Sequence, residues 1–357
     1  MRRFAPVDMS SKAPRSHPKP KRPEPELRAI RAYLQEKRRH LRYLTGNLRY
    51  YATDWPHNVI PLLYELSIKV LGLRLGDFRQ YPPRELRGER FPVAGKTTEL
   101  PAIAIVTPSY NQGHVIAQTI ASVLDQAYPR LEYAVVDGGS TDGTRDVLDR
   151  YLQRLAYCVS EPDAGQSDAV AKGFQHVQGE IMGYLNSDDM LLPGALQFVG
   201  EFFALHPNVD VIYGHRVIVD DDGQEVGRWI LPPHDAEVIK YYDWVPQETL
   251  FWRSALYQAV GGIDRAFQFA MDWDLVLRFI NVGARFQRVP YSLGCFRVHD
   301  QQKTHALSDS IGQREKDVLL AREHSGKHNA EQAQKLCNSY ALRSSLCAIL
   351  LKCGIRY

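Results

Sequence analysis

The sequence predicts an α/β fold, a mostly parallel sheet with helices on both faces, and three observations carry that prediction. From Pro101 onward, short apolar runs alternate with segments of helical spacing. The loops that follow those runs are polar and several contain glycine. One run, Ile181–Leu185, stops abruptly at Asn186-Ser187-Asp188-Asp189. That places oxygen ligands at the carboxyl end of a strand, where open α/β sheets hold their sites.

Taken in order, residues 1–25 set Pro14, Pro18, Pro20, Pro23 and Pro25 among Lys and Arg and read as a disordered basic arm. Residues 26–100 read as a helical segment and a linker. Leu27, Ile30, Leu34, Leu41 and Leu44 recur at helical spacing up to about Tyr51, with Arg and Lys between them. A second helix is expected over Val59–Leu75, with Pro61 near its first turn. Tyr81-Pro82-Pro83 through Gly95-Lys96 is linker by composition.

Residues 101–305 form the predicted α/β domain. Strands are expected at Ile103–Val106, Leu131–Val136, Leu155–Val159 and Ile181–Leu185, with helices at His114–Gln126, Thr141–Tyr151 and Gln166–Val177 between them. A helix over Gly194–Leu205 leads to a strand at Val209–Tyr213. Arg216–Val219 and Glu225–Ile230 then read as a hairpin around the acidic turn Asp220-Asp221-Asp222-Gly223. Beyond it come a strand near Glu248–Trp252, helices at Ser254–Val260 and Asp272–Val282, and separate strands at Arg285–Val289 and Leu293–Val298. Residues 306–357 read as a helical tail.

Composition narrows the setting. The first fifty residues hold 14 Lys and Arg against 4 acids, which leaves 30 against 37 in the rest. Such an arm can touch nucleic acid or an anionic membrane surface and more commonly is just solvated. No nucleic-acid partner is expected. Five scattered cysteines without a paired spacing suit a cytoplasmic chain, with peripheral contact at the inner membrane surface left open through the basic helix. Neither a secretory signal nor an apolar stretch of bilayer length is expected. The chain has no GxGxxG fingerprint and no Walker loop, which argues against a dehydrogenase or a P-loop enzyme.

The chemistry concentrates at strand ends. Thr107-Pro108-Ser109-Tyr110 opens a polar loop whose amides and hydroxyls suit a nucleotide. Asp137 ends the second strand before Gly138-Gly139 and can accept from a base or ribose, while Asp142 reads as a helix cap. Gly165, Gln166, Ser167 and Asp168 form a third glycine turn with acceptors. Asp188 and Asp189 offer the hard oxygens that Mg²⁺ or Mn²⁺ takes, with substrate phosphates completing the shell. Adjacent acids are common in this composition, so the pair gains its weight from the loops around it.

Together these stretches resemble the inverting glycosyltransferases of family 2, which have the Rossmann-like GT-A fold. The order is the family's: IAIVTPSYNQG, VVDGGSTDGT, EPDAGQSDAVAKGF, GYLNSDDMLLPGAL, then VPQETLFWR, VGGIDRAFQFAMDWDLVLRF and FRVHDQQKT, from about Pro101 to Thr304. The resemblance implies a nucleotide-diphosphate sugar donor, a divalent Mn or Mg ion at its phosphates, direct displacement at the anomeric carbon and a glycan or lipid-linked acceptor. It places Asp137 and the Thr107–Tyr110 loop at the base and ribose, and Gly165–Asp168 with Asn186 and Ser187 along the donor. Asp188 becomes the main metal contact, with Asp189 and the late His299 beside it. Asn186 stands where the family's metal motif has its first acid. Asp272 falls at the position of the general base, and Gln247 and Trp273 lie on the acceptor side. Read without the resemblance, His299 is as readily structural, Arg297 pairs with phosphate or with a nearby acid, and Trp244, Trp252 and Trp273 are as readily core as sugar platforms. The competing functions are a non-catalytic sugar-nucleotide binding or scaffold protein and a sugar nucleotidyltransferase.

Overall fold

A computed structural model describes residues 75–92, 99–299, 302, 311–326 and 329–356. The basic arm and the helices expected ahead of residue 75 lie outside them.

Three βα units and a fourth strand open the domain: β1 (Ile103–Ser109), α1 (Ile116–Leu124), β2 (Leu131–Asp137), α2 (Thr144–Leu148), β3 (Tyr157–Ser160), α3 (Gln166–His176) and β4 (Ile181–Tyr184). The two-residue β5 (Met190–Leu191) and α4 (Ala195–Leu205) lead into the hairpin of β6 (Val211–Val219) and β7 (Glu225–Trp229). After these come α5 (Ala236–Ile239), β8 (Phe251–Arg253), α6 (Ser254–Ala259), α7 (Met271–Asn281), β9 (Phe286–Arg297), α8 (Gln313–Glu323) and α9 (Ala330–Lys352).

All the described strands join one sheet, in the order β3-β2-β1-β4-β8-β6-β9-β5, with β7 beside β6. β1 to β4 are parallel, and so are β6 and β9. β8, β5 and β7 pair antiparallel. Strand order reverses between β1 and β4, because β2 and β3 lie on one side of β1 and β4 on the other. That reversal opens a crevice at the carboxyl ends of β1 and β4.

All seven residues of β1 are buried, so both faces of the sheet are covered. On one face Ala104, Val106 and Ala134 pack with Val170 of α3 and Leu275 and Val276 of α7. On the other, Ile103, Ile105, Tyr133 and Val135 meet Ile116, Ile120 and Val123 of α1 and Leu196, Val199 and Phe203 of α4. The period-two alternation of a strand thus feeds two separate cores. α3 approaches β1 so closely that a Cβ on Gly173 would lie 2.4 Å from Val106 Cγ1.

Two pairs of expected strands are single elements. β6 runs unbroken through Gly214, and β9 runs twelve residues through Pro290. Register shifts at Tyr213/His215 and His215/Arg216 absorb both residues. A proline in a strand is tolerated where pairing is irregular, and a Cβ on Gly214 would come within 2.5 Å of Tyr291 O. The acidic turn forms as expected, with Gly223 at φ +77°. The tail helices dock on the body: Leu319 of α8 and Tyr340 of α9 lie in the first core, and Cys347 packs with Ile230.

Candidate active site

A cleft of about 1100 Å³ lies at the switch point. Pro108, Ser109 and Tyr110, at the end of β1, form one wall with Gly138 and the Asp163–Gln166 turn. Asn186, Ser187, Asp188 and Asp189 line it after β4. The other wall carries Tyr241 to Val245, Gln247, Glu248 and the start of α7, including Asp272 and Trp273.

The nucleotide-side loops are laced together by their own polar groups. Asn111, in the left-handed region at φ 53°, receives the Thr141 amide at 2.9 Å, and its own amide donates to Ser140 Oγ at 2.7 Å. Asp137 is fully buried, and its carboxylate takes the Ser140 amide at 2.9 Å and the hydroxyls of Ser140 and Ser160. It orders the loop and is not among the residues that line the cleft. Thr107 likewise is buried, its hydroxyl 2.9 Å from the Tyr133 hydroxyl. Ser167 and Asp168 stand behind the glycine turn, where Asp168 meets the Ala164 amide, Lys172 and Arg265. Tyr110, by contrast, is 65% exposed at the cleft, and Ser109 Oγ is buried without a hydrogen-bond partner.

The acid loop is held from behind. Arg297, fully buried, donates to the carbonyls of Asp188, Asp220 and Asp221 and to Gln118 Oε1, over 2.7 to 3.1 Å. Its guanidinium thus fixes the loop through carbonyls. The Arg297 amide also reaches Asp189 Oδ1 at 3.0 Å. Burial first, and then the charges of Asp188 and Glu248, push the Asp189 carboxyl well above the usual carboxylate range. Asn186 accepts from Gln166 Nε2 at 2.6 Å and donates toward Asp189 Oδ2 at 3.4 Å. β5 pairs Met190 with Cys295, which brings the acid loop beside the end of β9. There His299 Nε2 lies 3.0 Å from Asp188 Oδ2. Among the described residues no three His, Cys, Asp or Glu side chains gather as a metal cage.

On the opposite wall, Asp272 is half-buried in the first turn of α7, and its Oδ1 accepts the Trp273 amide at 2.9 Å. Trp273 is nearly buried, with its indole N–H on Ile239 O at 2.8 Å. Trp252 is wholly core, ringed by Phe174, Tyr184, Tyr257 and Phe279. Trp244 does reach the cleft, and Gln247 donates to Tyr184 O at 2.7 Å.

The sequence reading missed several residues of this wall. Asp243 opens to the cleft beside Tyr242 and Trp244. It is exposed to the cleft's own solvent, yet the enclosing protein limits its hydration. That desolvation, followed by the Asp272 charge, pushes its carboxyl well up. An acid set among aromatics was the available signal. Arg216 and Glu248 form a buried bidentate pair at 2.8 and 2.7 Å, with the guanidinium over the Trp229 and Phe296 rings. Lys316 enters from α8. No local pattern announces either.

The doubly wound sheet with its cleft at the switch point is the GT-A fold of glycosyltransferases; PcManGT, a mannosyltransferase from Pyrobaculum calidifontis solved with GDP-Man and Mn²⁺, matches at TM-score 0.51 and 20% identity over 84% of each chain. By sequence, the chain belongs to glycosyltransferase family 2. The glycosyl transferase family 2 model matches residues 104–261, a span that ends ahead of Asp272 and His299. The chain is 30% identical over 186 residues to an uncharacterized glycosyltransferase of Mycobacterium tuberculosis, covering 51% of this chain and 70% of that protein. It is 33% identical over 146 residues to TuaG of Bacillus subtilis, a glycosyltransferase named for teichuronic acid biosynthesis, covering 40% of this chain and 56% of that protein.

Proposed function

We propose that this glycosyltransferase inverts: it moves a sugar from a nucleotide-diphosphate donor to a hydroxyl of a glycan or lipid-linked acceptor, with Asp272 as general base. The observation that carries the reading is that the Asp188 loop and Asp272 line one cleft. Tyr110 offers an exposed ring for the nucleobase, with Pro108 and Ser109 beside it, and the Gly165–Gln166 turn and Asn186 border the donor. Asp137 acts there through the loop it orders.

The residues at Asp188 fit a divalent ion. Carboxylate and imidazole converge to 3.0 Å; the carboxylate suits Mn²⁺ or Mg²⁺, and the imidazole nitrogen favours the transition metal of the two. Asp188 and His299 would hold the ion, and Asp189 would support them from the Arg297 amide. Bound there, it would supply Lewis-acid charge for the departing diphosphate.

The chain's own chemistry is then short. An acceptor hydroxyl within hydrogen-bond reach of Asp272 gives up its proton to that carboxylate as its oxygen attacks the anomeric carbon. The bond from that carbon to the diphosphate oxygen breaks on the opposite face, and the nucleoside diphosphate leaves with the electron pair. The aromatic wall at Tyr241, Tyr242 and Trp244 offers faces to the acceptor.

The test is turnover of UDP- and GDP-linked sugars by the full chain with Mn²⁺, read as released nucleoside diphosphate and abolished by chelator. Asp272→Asn should lose about 10²- to 10⁴-fold in turnover while binding donor as before; unchanged turnover would remove Asp272 from the mechanism. We also propose a cytoplasmic setting with peripheral membrane contact through the basic residues 26–51. Among the described residues no helix is long and apolar enough to cross a membrane, and none of the five cysteines is in a disulfide. Co-sedimentation with anionic vesicles, with and without residues 1–50, checks it.

A further inference from the structure

The first turn of α7 carries the proposed base, whose own carboxylate takes one amide of that turn, that of Trp273. Ala270 occupies the N-cap position and makes no side-chain cap bond. The amides leading into the helix need partners from elsewhere. Glu315, on α8, supplies them. Its Oε1 accepts from the Gln268 amide at 2.7 Å, and its Oε2 from the Phe269 and Ala270 amides at 2.8 Å each. About two turns along the same helix, Arg322 donates to Asp274 Oδ1 at 2.6 Å. Leu319, between them, is fully buried in the core. α8 therefore grips α7 at two points, residues 268–270 and residue 274, that bracket Asp272.

A carboxylate on three consecutive amides makes charge-assisted bonds, and its charge complements the positive end of the helix. Asp272 is tied to the same turn through the Trp273 amide. Its direction therefore follows that of the helix start. Near the chemistry, small displacements matter: a catalytic group moved by 1 Å can lose about a hundredfold in rate.

We propose that Glu315 is a positioning residue for Asp272, and that the carboxyl-terminal helix α8 is thereby part of the transfer machinery. The inference rests on the reading of Asp272 as general base. It goes beyond that reading in giving the tail, which supplies no general base or metal ligand in that scheme, a role in turnover.

Asp272→Asn, Glu315→Gln and Glu315→Ala are compared in one assay, on whichever of the UDP- or GDP-linked sugars the wild type turns over. For Glu315→Ala we expect kcat to fall about 10- to 100-fold. Donor KM and the stoichiometry of nucleoside-diphosphate binding should stay as in the wild type. Glu315→Gln, which keeps one accepting oxygen, should fall between the two. Amide hydrogen exchange at Gln268, Phe269 and Ala270 should quicken in both variants. Wild-type kcat in Glu315→Ala overturns the proposal. So does a loss of kcat matched by an equal loss of donor-binding sites, which is a folding effect, and so does unchanged exchange at those amides. Wild-type turnover in Asp272→Asn is read separately: it sinks the base and leaves Glu315 nothing to position.

Discussion

At the level of single residues, the acid loop works because its neighbours are not acids. Asn186 accepts a hydrogen bond from Gln166 and donates one toward Asp189, whose carboxylate a third acid in that place would repel. Arg297 stabilises the same loop through carbonyls, which leaves the carboxylate of Asp188 for His299 and the cleft. Asp243 lines the same cleft as Asp272. Desolvation and the Asp272 charge raise its carboxyl, and two facing carboxylates titrate as a pair. Arg216 and Lys316 act against that rise and remain in place in any variant of Asp243. Because the Asp272 charge is part of what raises Asp243, Asp272 is the first of the two to ionise and Asp243 keeps its proton meanwhile. Asp243→Asn mimics that protonated form, so it should leave the acidic limb of the kcat/KM profile in place. An acidic limb that moves to lower pH in the variant would show that Asp243 is already ionised where Asp272 loses its proton.

The elements explain what the sequence made legible. β1 to β4 are short apolar runs that alternate with segments of helical spacing, so their existence, order and parallel pairing follow from the chain itself. The loops at their carboxyl ends were legible for the same reason. Pro290 and Gly214 read locally as breaks, yet β6 and β9 continue through them, because ladder pairing on either side outweighs the local preference. Thr107 in β1, Asp137 at the end of β2, and Ser167 and Asp168 in the first turn of α3 adjoin the loops where a donor contact was sought, but which way each side chain turns is decided by tertiary partners such as Ser160, Tyr133 and Arg265. The second wall was hardest to read, since β6, the turn before β8, and α8 reach it from distant parts of the chain. Arg216 and Glu248 illustrate the consequence. Arg216→Met would leave Glu248 buried without its partner, and breaking a buried pair in this way costs about 3–5 kcal/mol. Denaturant unfolding should show that loss, and the double variant Arg216→Met/Glu248→Leu should recover much of it. A double variant no more stable than the single one would mean that the pair contributes through more than its charges.

Across the whole molecule, the sheet is extended by segments that pack around it. α8 and α9 dock on the core, and the chain before β1 lies along β7, where Gln80 and Arg84 make backbone bonds to Val226 and Glu225. Glu225 anchors that segment. Its carboxylate is fully buried and takes Arg228 through two bonds of 2.8 Å, with Arg84 and the Tyr81 hydroxyl at 2.5 Å each. Burial works to raise this carboxyl, but the bonds and charge of Arg228, with those of Tyr81 and Arg84, outweigh it and hold it at about 2, against an ordinary 4.5. The sign of the linkage follows. With a folded value below the unfolded one, the anchor's stabilisation is complete above pH 4.5 and is lost as pH falls through about 2. Glu225→Gln keeps the shape and removes the charge, so at neutral pH it should lower stability by about 3–5 kcal/mol, leaving Arg228 and Arg84 without their counter-ion. The gap between wild type and variant should then close as the pH drops from 4.5 toward 2, because the wild-type carboxyl becomes neutral as well. Urea midpoints for both proteins across that range test the assignment, and a gap that stays constant would show that Glu225 holds the amino-terminal segment by packing and not by charge.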